Sequence, residues 1–393
     1  MRQSISQGVH AVSTMLKSLD IASFRAFERL RIERLGRVNL IVGKNGVGKT
    51  TLLEALRFYG MGSGLALSEY LATQHEMLTN PSTGQPILDS RALFHGRGAA
   101  ADPITIGPIA DDSLRLTVRL ANALRAEQRF SGFAYEPIEP DDLARDPAKR
   151  ADVVKAWVIE RGKYRVLVSP EPSRRVVLRS RYFGPAYLPA HGVPESDLTY
   201  WWDSVSLTRA EGRVRDALRT IAPVEDIGAV ADPAAEQPGA RLFRARLQGQ
   251  ECPIPLTSLG DGLVRLFQIA LALEYARLAD RETEPNLLDN PGETPWHQRF
   301  RFLLIDEIEN GIHYSVLPHL WKWIFQIAEL NDLQVFATTH SWDCIRGFQQ
   351  SAASETENEG ALIRLEAGRG QSRAVVFAES ELGIVTREQI EVR

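Results

Sequence analysis

The sequence is poor in the residues that mark secreted and membrane-spanning proteins. Its 393 residues include only two cysteines, Cys252 and Cys344. Two are too few for a disulfide framework or a structural zinc site, and we expect both to be small buried side chains in a reducing compartment. No apolar run reaches the roughly eighteen residues that a spanning helix needs.

The N-terminal stretch 1–14 also lacks the apolar core of a signal peptide. We interpret it as a disordered leader or an upstream start choice, ahead of a first strand-like segment that opens at Met15. Together with the missing apolar run, this predicts a cytoplasmic protein without a membrane partner.

Neither sign of charge dominates the chain. Its net charge of −4 gives no general attraction to nucleic acid. Residues 141–181 are a local exception, because eleven Lys and Arg stand there against six acids. A nucleic-acid backbone could use this basic patch. No nucleic-acid-reading motif accompanies it, so a solvated strand face is the preferred interpretation.

The strongest motif is an apolar strand that runs into a glycine-rich turn and then a helix. Residues 39–51 read N-L-I-V-G-K-N-G-V-G-K-T-T and match the phosphate-binding P-loop, G-x-x-x-x-G-K-[ST]. The glycines let backbone N–H groups point at an anion, Lys49 supplies a positive charge, and the Thr50 hydroxyl suits Mg²⁺. The predicted nucleotide-binding residues are Gly43, Asn45, Gly46, Val47, Gly48, Lys49, Thr50 and Thr51.

Apolar strands alternate with helices toward the C-terminus. Strands are predicted over 300–305 and 333–338, with a helix over 314–330 between them. This alternation is typical of a parallel, doubly wound sheet, whose ligands bind beyond the carboxyl ends of the strands. Asp306-Glu307 and Thr339-His340 follow the two strands, so we expect both pairs to meet the P-loop at one edge.

These residues form a sufficient set for phosphoryl transfer, which depends mostly on positioning and charge neutralisation. Asp306 would hold Mg²⁺ together with Thr50. Glu307 would orient the attacking water or accept its proton, and His340 would contact the γ-phosphate. The predicted catalytic residues are Glu307, His340 and Lys49. Glu309 and His313 are interpreted as supporting or dimer-facing residues, because two residues on one loop do not make a metal site.

Local patterns predict the remaining elements. Trp201 and Trp202 are interpreted as core or lobe-contact residues rather than a base-stacking platform. The other predictions are a hairpin of 16–24 and 27–32 with Arg25 in its turn, a helix from about 50 to 59, strands at 114–120, 157–159, 164–168 and 176–178, a capped helix over 208–221, a helical run from 258–262 through 276, and two last strands at 361–365 and 374–377.

Four segments together resemble the ATP-binding-cassette (ABC) ATPase heads of the SMC/RecF/OLD class, and most of all the stand-alone AAA-type ATPases of bacterial anti-phage systems. They are residues 39–55, 258–262 (S-L-G-D-G), 303–313 (L-L-I-D-E-I-E-N-G-I-H) and 338–341 (T-T-H-S). The resemblance runs from about Met15 to the end. It implies an α/β P-loop NTPase: a bilobed head with a mainly parallel core sheet, an antiparallel β-rich subdomain and a helical lobe. The nucleotide lobe would cover about 15–110 plus 300–393, and an inserted second lobe about 111–299.

The resemblance also implies a second copy of the chain as partner. Ser258, Gly260, Asp261 and Gly262 would be the signature that completes the γ-phosphate site of the other subunit, so that a head-to-tail homodimer or higher oligomer sandwiches two ATP. Residues 60–250 show no heptads of the SMC type. The fifty-three residues after His340 are too few for the TOPRIM nuclease domain of OLD proteins, so we expect no nucleic-acid cleavage by the chain alone. The pattern assigns no Q-loop glutamine, and Gln74 is only a guess.

The leading hypothesis is a slow, Mg²⁺-dependent ATPase switch that controls a separate effector, a nuclease or toxin, in anti-phage defence. Its cofactors are ATP and Mg²⁺. The alternative is a RecF-like DNA-binding repair or recombination ATPase that uses the basic patch. A transporter engine is least favoured, because S-L-G-D-G departs from the usual L-S-G-G-Q.

Overall fold

The structure is a computed structural model of the chain. It describes residues 15–61, 77–79, 86–89, 91–97, 102–126, 134–138, 153–162, 164–168, 185–232, 241–278, 300–352, 360–368, 372–377 and 381. Four sequence-based predictions lie outside these residues: the leader at 1–14, the strand at 176–178, the guess at Gln74 and most of the basic patch.

The described residues form strands and helices, numbered here in chain order. The strands are β1 (Leu19–Phe24), β2 (Phe27–Ile32), β3 (Val38–Val42), β4 (Met77–Thr79), β5 (Pro86–Leu88), β6 (Ile104–Gly107), β7 (Leu116–Ala126), β8 (Ala134–Pro137), β9 (Val153–Arg161), β10 (Tyr164–Val168), β11 (Ala186–Leu188), β12 (Val224–Ala231), β13 (Arg241–Leu247), β14 (Ile254–Pro255), β15 (Phe302–Ile305), β16 (Gln334–Thr338), β17 (Gly360–Ala367) and β18 (Ser372–Phe377). The α-helices are α1 (Lys49–Met61), α2 (Glu195–Val205), α3 (Arg209–Leu218), α4 (Asp261–Leu278), α5 (Leu317–Leu330) and α6 (Trp342–Ala352).

A mainly parallel sheet forms the centre of the fold, in the order β11-β15-β16-β3-β17-β18. The first four pairings are parallel, and only β18 runs antiparallel to its neighbour. Every residue of β3 and β15 is buried, as parallel strands covered on two sides require, and all of them except Asn39 are apolar. This topology confirms the α/β class predicted from the sequence.

Successive side chains of the core sheet enter two different apolar cores. Leu40 and Leu303 face a core built with helices α2 to α6, whereas Ile41 and Leu304 face a core that contains α1 and the first strands. The second core lies under an antiparallel sheet of order β10-β9-β7-β6-β1-β2, with β8 paired to β7. Strand side chains alternate in direction, which gives the core sheet its two cores. Helix α1 contacts β15 and β16 on one side and β6 on the other, so it is held between the two sheets.

Several local predictions are confirmed. The hairpin of β1 and β2 turns through Arg25, with Phe24 paired to Phe27. Thr208 caps α3 by accepting a hydrogen bond from the Ala210 amide. The Glu211 carboxylate accepts from the Leu207 amide, one residue before the cap.

The prediction for Cys252 is wrong, because its side chain is exposed whereas Cys344 is buried as predicted. Cys252 lies in the turn between β13 and β14, where the chain reverses at the surface. Strand β7 is also longer than the predicted 114–120 and runs from Leu116 to Ala126. Trp201 and Trp202 are buried in the helical core, as predicted.

The division into lobes over 15–110 plus 300–393 and over 111–299 stays a prediction. Among the described strands, sheet pairing crosses it where β6 pairs with β7 and where β11 pairs with β15. Among the residues described, no helix has both the length and the apolar character that would let it span a bilayer.

Candidate functional site: the P-loop and the acidic strand end

The turn after β3 has the backbone that a P-loop needs. Gly43 and Gly48 adopt φ values of 144° and 105°, which L side chains rarely reach. A Cβ on Gly43 would lie 2.6 Å from the Leu365 carbonyl oxygen, and one on Gly48 would lie 2.6 Å from the Phe27 ring. Both positions are therefore restricted to glycine by conformation and by space.

Lys49 begins α1 and its side chain is buried within the turn. Its Nζ donates hydrogen bonds to the carbonyl oxygens of Gly43 at 2.7 Å and Lys44 at 3.0 Å. Burial lowers the pKa of Lys49, against an opposing effect of nearby carboxylates, with Asp306 the largest. The ammonium group is thus held inside the loop that would surround a phosphate.

Strand register brings the first acidic residue to the P-loop. β15 pairs with β16, which pairs with β3, so their carboxyl ends lie side by side. The Thr50 hydroxyl donates a hydrogen bond to Asp306 Oδ2 at 2.9 Å, across 256 positions of sequence. The Thr338 hydroxyl donates to Asp306 Oδ1 at 2.5 Å.

The Thr50 and Asp306 oxygens fit the group that the sequence predicts. Mg²⁺ takes oxygen ligands and is held by one or two protein oxygens together with substrate phosphates. A hydroxyl at the start of α1 and a carboxylate oxygen at the end of β15, already in contact, supply such a pair. These two residues would hold the ion beside Lys49.

Glu307 stands in an unusual backbone conformation at the same edge. Its φ is 49°, a left-handed value that is uncommon for residues other than glycine. Its backbone amide donates to the Thr338 hydroxyl at 2.8 Å, and its Oε2 accepts a hydrogen bond from the side-chain amide of Asn310 at 2.8 Å. The carboxylate is half-exposed, so it is fixed in position and still open to solvent.

His340 follows β16 and faces the second oxygen of that carboxylate. The His340 Nε2 lies 3.8 Å from Glu307 Oε1, and its ring is half-exposed. The His340 amide donates to Glu309 Oε1 at 2.7 Å. Glu309 therefore fixes the backbone of His340, whereas the exposed His313 ring accepts a hydrogen bond from the Ser315 amide at the start of the next helical turn.

The signature segment lies at the start of α4. Ser258, Gly260 and Asp261 are exposed. Gly262 packs so tightly on the turn 306–311 that a Cβ there would lie 2.5 Å from the Gly311 carbonyl oxygen. The contribution of this segment to a second subunit's site stays a prediction.

Sequence reasoning assigned no role to three residues of the site: Thr338, Asn310 and Arg265. Arg265 donates to the carbonyl oxygens of Asp306 at 2.5 Å, Glu307 at 3.2 Å and Pro189 at 2.8 Å. Burial lowers its pKa. The only sequence signal for it was a lone arginine within the apolar run of α4, since a charged side chain in such a run needs buried partners.

The basic patch is described at only a few positions. Arg161 is buried, and it donates to the Tyr59 carbonyl oxygen at 2.7 Å. Arg165 is exposed and pairs with Glu160 at 2.5 Å, while Lys155 is exposed. Arg161 therefore anchors the end of α1 and does not face a surface that a phosphate backbone could reach.

Comparison with known proteins agrees with this geometry. A RecF protein, described as "DNA replication and repair protein RecF", from Acidothermus cellulolyticus is 26% identical over 210 residues, which cover 52% of this chain and 54% of that protein. An "ATP/GTP phosphatase" from Helicobacter pylori is 22% identical over 370 residues, 86% of this chain and 88% of that one. This chain thus spans about half of the length of that RecF relative.

Among solved structures, a crystal structure of the SmcHead bound to the C-winged helix domain of ScpA matches with a TM-score of 0.47 and 11% identity, over 94% of this chain and 99% of that chain. Residues 38–343, well over half of the chain, match the family model described as "AAA domain, putative AbiEii toxin, Type IV TA system". With the P-loop, the acidic strand end and the RecF relatives, this match confirms the predicted resemblance. The chain belongs to that AAA domain family, within the ABC-type ATPases of the SMC/RecF class.

Proposed function

We propose that this protein is a Mg²⁺-dependent ATPase that works as a slow switch in the cytoplasm. ATP would close two copies of the chain into a head-to-tail dimer, and hydrolysis would open it. The change would control a separate effector, a nuclease or toxin, in anti-phage defence. The "AbiEii toxin" description of the matching family supports this context.

The observation that carries the proposal is the contact between Thr50 and Asp306. A hydroxyl at the start of α1 and a carboxylate at the end of β15 lie 2.9 Å apart, next to a buried lysine. Positive charge, metal ligands and a carboxylate at one point are the parts that phosphoryl transfer uses. A structural turn has no need to bring them together.

Each residue has a distinct part in the proposed reaction. The loop amides and Lys49 bind the phosphates, and a Mg²⁺ ion held by Thr50 and Asp306 would help to neutralise the charge that develops on them. Glu307 orients a water for in-line attack and takes its proton. His340, 3.8 Å from Glu307, contacts the γ-phosphate and makes the site sensitive to its presence.

The first experiment measures phosphate release from ATP by the full chain, with and without Mg²⁺. Glu307→Gln should lose turnover while it still binds ATP, and should accumulate an ATP-bound dimer in sedimentation velocity. Lys49→Ala should lose ATP binding. Absence of Mg²⁺-dependent hydrolysis in the unmodified protein, or a Glu307→Gln variant that stays monomeric at saturating ATP, would contradict the switch.

A mixing experiment tests whether the signature acts across subunits. Lys49→Ala and Ser258→Arg should each be inactive alone. A mixed dimer holds one site with an intact P-loop from one copy and an intact signature from the other, so mixing should restore activity. Two inactive proteins that stay inactive when mixed, although they associate, would place the signature outside the site.

The RecF relatives favour one alternative, a DNA-binding repair or recombination ATPase. It predicts salt-sensitive DNA binding and DNA-stimulated hydrolysis, both lost when Arg174, Arg175 and Arg179 are reversed to Glu. The switch hypothesis predicts no change in hydrolysis on adding DNA. Stimulation by DNA that survives these reversals would count against the basic patch as the binding surface.

A further inference from the structure

The side chain of Asn310 lies between the proposed catalytic carboxylate and a fixed point of the backbone. Its amide nitrogen donates to Glu307 Oε2 at 2.8 Å and to the Ala190 carbonyl oxygen at 3.1 Å. The Ala190 carbonyl oxygen and an ionised Glu307 carboxylate can only accept hydrogen bonds. The side-chain nitrogen of Asn310, and not its oxygen, therefore has to face them. Asn310 therefore has a fixed orientation.

The backbone around Asn310 is held as tightly as its side chain. The backbone amide of Asn310 donates to the Glu307 carbonyl oxygen at 3.1 Å, which closes the turn that carries the proposed catalytic carboxylate. The next residue, Gly311, has a φ of 71° and packs against the start of α4. A Cβ on Gly311 would lie 3.2 Å from Asp261. The side-chain amide of Asn310 is thus carried by a backbone segment that is fixed by hydrogen bonding and packing.

Glu307 needs such a support because it is half-exposed and its long side chain has several rotamers. A carboxylate that orients water loses efficiency steeply when it moves, and a displacement of about 1 Å can lower a rate about 100-fold. Asn310 bonds one carboxylate oxygen and leaves the other facing His340. We propose that Asn310 is a positioning residue that fixes the Glu307 carboxylate for hydrolysis, without itself binding the nucleotide.

This inference rests on the proposed ATPase function, and its test uses the full chain with ATP and Mg²⁺. Asn310→Ala removes the donor, and Asn310→Asp keeps the shape but replaces the donor with an acceptor. We expect kcat to fall about 10- to 100-fold in both variants, while affinity for a fluorescent ATP analogue changes less than about twofold. Asn331→Ala is the matched control, because the side-chain amide of Asn331 also donates to a backbone carbonyl, that of Ile327, at the end of α5.

A double-mutant cycle separates positioning from general support of the fold. If Asn310 acts through the carboxylate, removing it from Glu307→Gln should lower the residual rate by less than about twofold. Losses that multiply in the double variant, or a fall in nucleotide affinity that matches the fall in kcat, would overturn the inference. A melting temperature followed alongside identifies variants that have lost structure. If Asn310→Ala is one of these, Asn310→Asp, which keeps the shape but lacks the donor, replaces it in the cycle.

The outcomes also distinguish this inference from the function on which it rests. An unmodified protein that does not hydrolyse ATP would overturn both. An active protein whose Glu307→Gln variant is inactive, but whose Asn310→Ala variant is as fast as the unmodified protein, would overturn the inference alone.

Discussion

The Thr338 hydroxyl joins the two acidic residues of the site. It donates to Asp306 Oδ1 at 2.5 Å and accepts from the Glu307 amide at 2.8 Å. One buried hydroxyl at the end of β16 therefore orients the proposed metal ligand and fixes the backbone of the proposed base. Neighbouring strands of the parallel sheet supply the two sides of this contact.

Replacing this hydroxyl should damage turnover more than folding. Thr338→Val keeps the shape but leaves the Glu307 amide and Asp306 Oδ1 without that partner, at a cost of about 1–3 kcal/mol. We expect kcat to fall at least about tenfold, with ATP binding retained. Phosphate release and analogue binding measure the two effects. Thr338→Ser, which keeps the hydroxyl, should stay within about threefold of the unmodified protein; an equal loss in both variants would show that the hydroxyl is not responsible.

The two cysteines should differ in reactivity. Burial raises the pKa of Cys344 to about 12, so at pH 8 its thiol is almost entirely in the neutral form, and the thiolate is the reactive form. Cys252 is exposed. We expect an alkylating reagent at pH 8 to label one cysteine in the native protein and both after unfolding, as read by peptide mass spectrometry. Fast native labelling of Cys344 would contradict the packing of α6 against α5.

The P-loop and the acidic strand end could be predicted from sequence because each is a local pattern that follows a buried strand. Residues 39–51 and Asp306-Glu307 needed only the rule that parallel strands present their carboxyl ends at one edge. Asn310 and Arg265 could not be predicted in this way. Asn310 bonds Glu307 through the conformation of the turn 306–311, and Arg265 reaches its carbonyl partners through the packing of α4. The prediction that Cys252 is buried was wrong for a related reason, because composition alone does not distinguish a turn from a core position.

The edge of the sheet opposite the site depends on one buried amide. Gln334 accepts from the Leu16 amide at 3.0 Å, and it donates to the carbonyl oxygens of Leu16 at 2.9 Å and Gly36 at 2.7 Å. Gln334→Leu would leave these backbone groups without that partner, and we expect a loss of about 2–5 kcal/mol in the free energy of unfolding. Urea denaturation measures it. The same change at the exposed Gln350 should cost less than about 0.5 kcal/mol, so equal losses would contradict the network.

The contact between Gly262 and Gly311 gives the sharpest test of how α4 meets the turn 306–311, which carries the proposed base. A Cβ at position 262 would lie 2.5 Å from a backbone oxygen, so Gly262→Ala has to move one of the two segments. Since Asn310 and Glu307 belong to that turn, we expect kcat to fall at least about tenfold, together with weaker ATP-dependent dimerisation.

Gly212 is the matched control, because it is also a helical glycine. Around it the nearest atom to a new Cβ is the flexible end of Arg215, at 3.9 Å. Gly212→Ala should therefore leave kcat unchanged and stabilise the protein by about 0.5–1 kcal/mol through helix propensity. If Gly262→Ala behaves in the same way, α4 and the turn are not in the tight contact described, and the start of α4 cannot influence Glu307 through it.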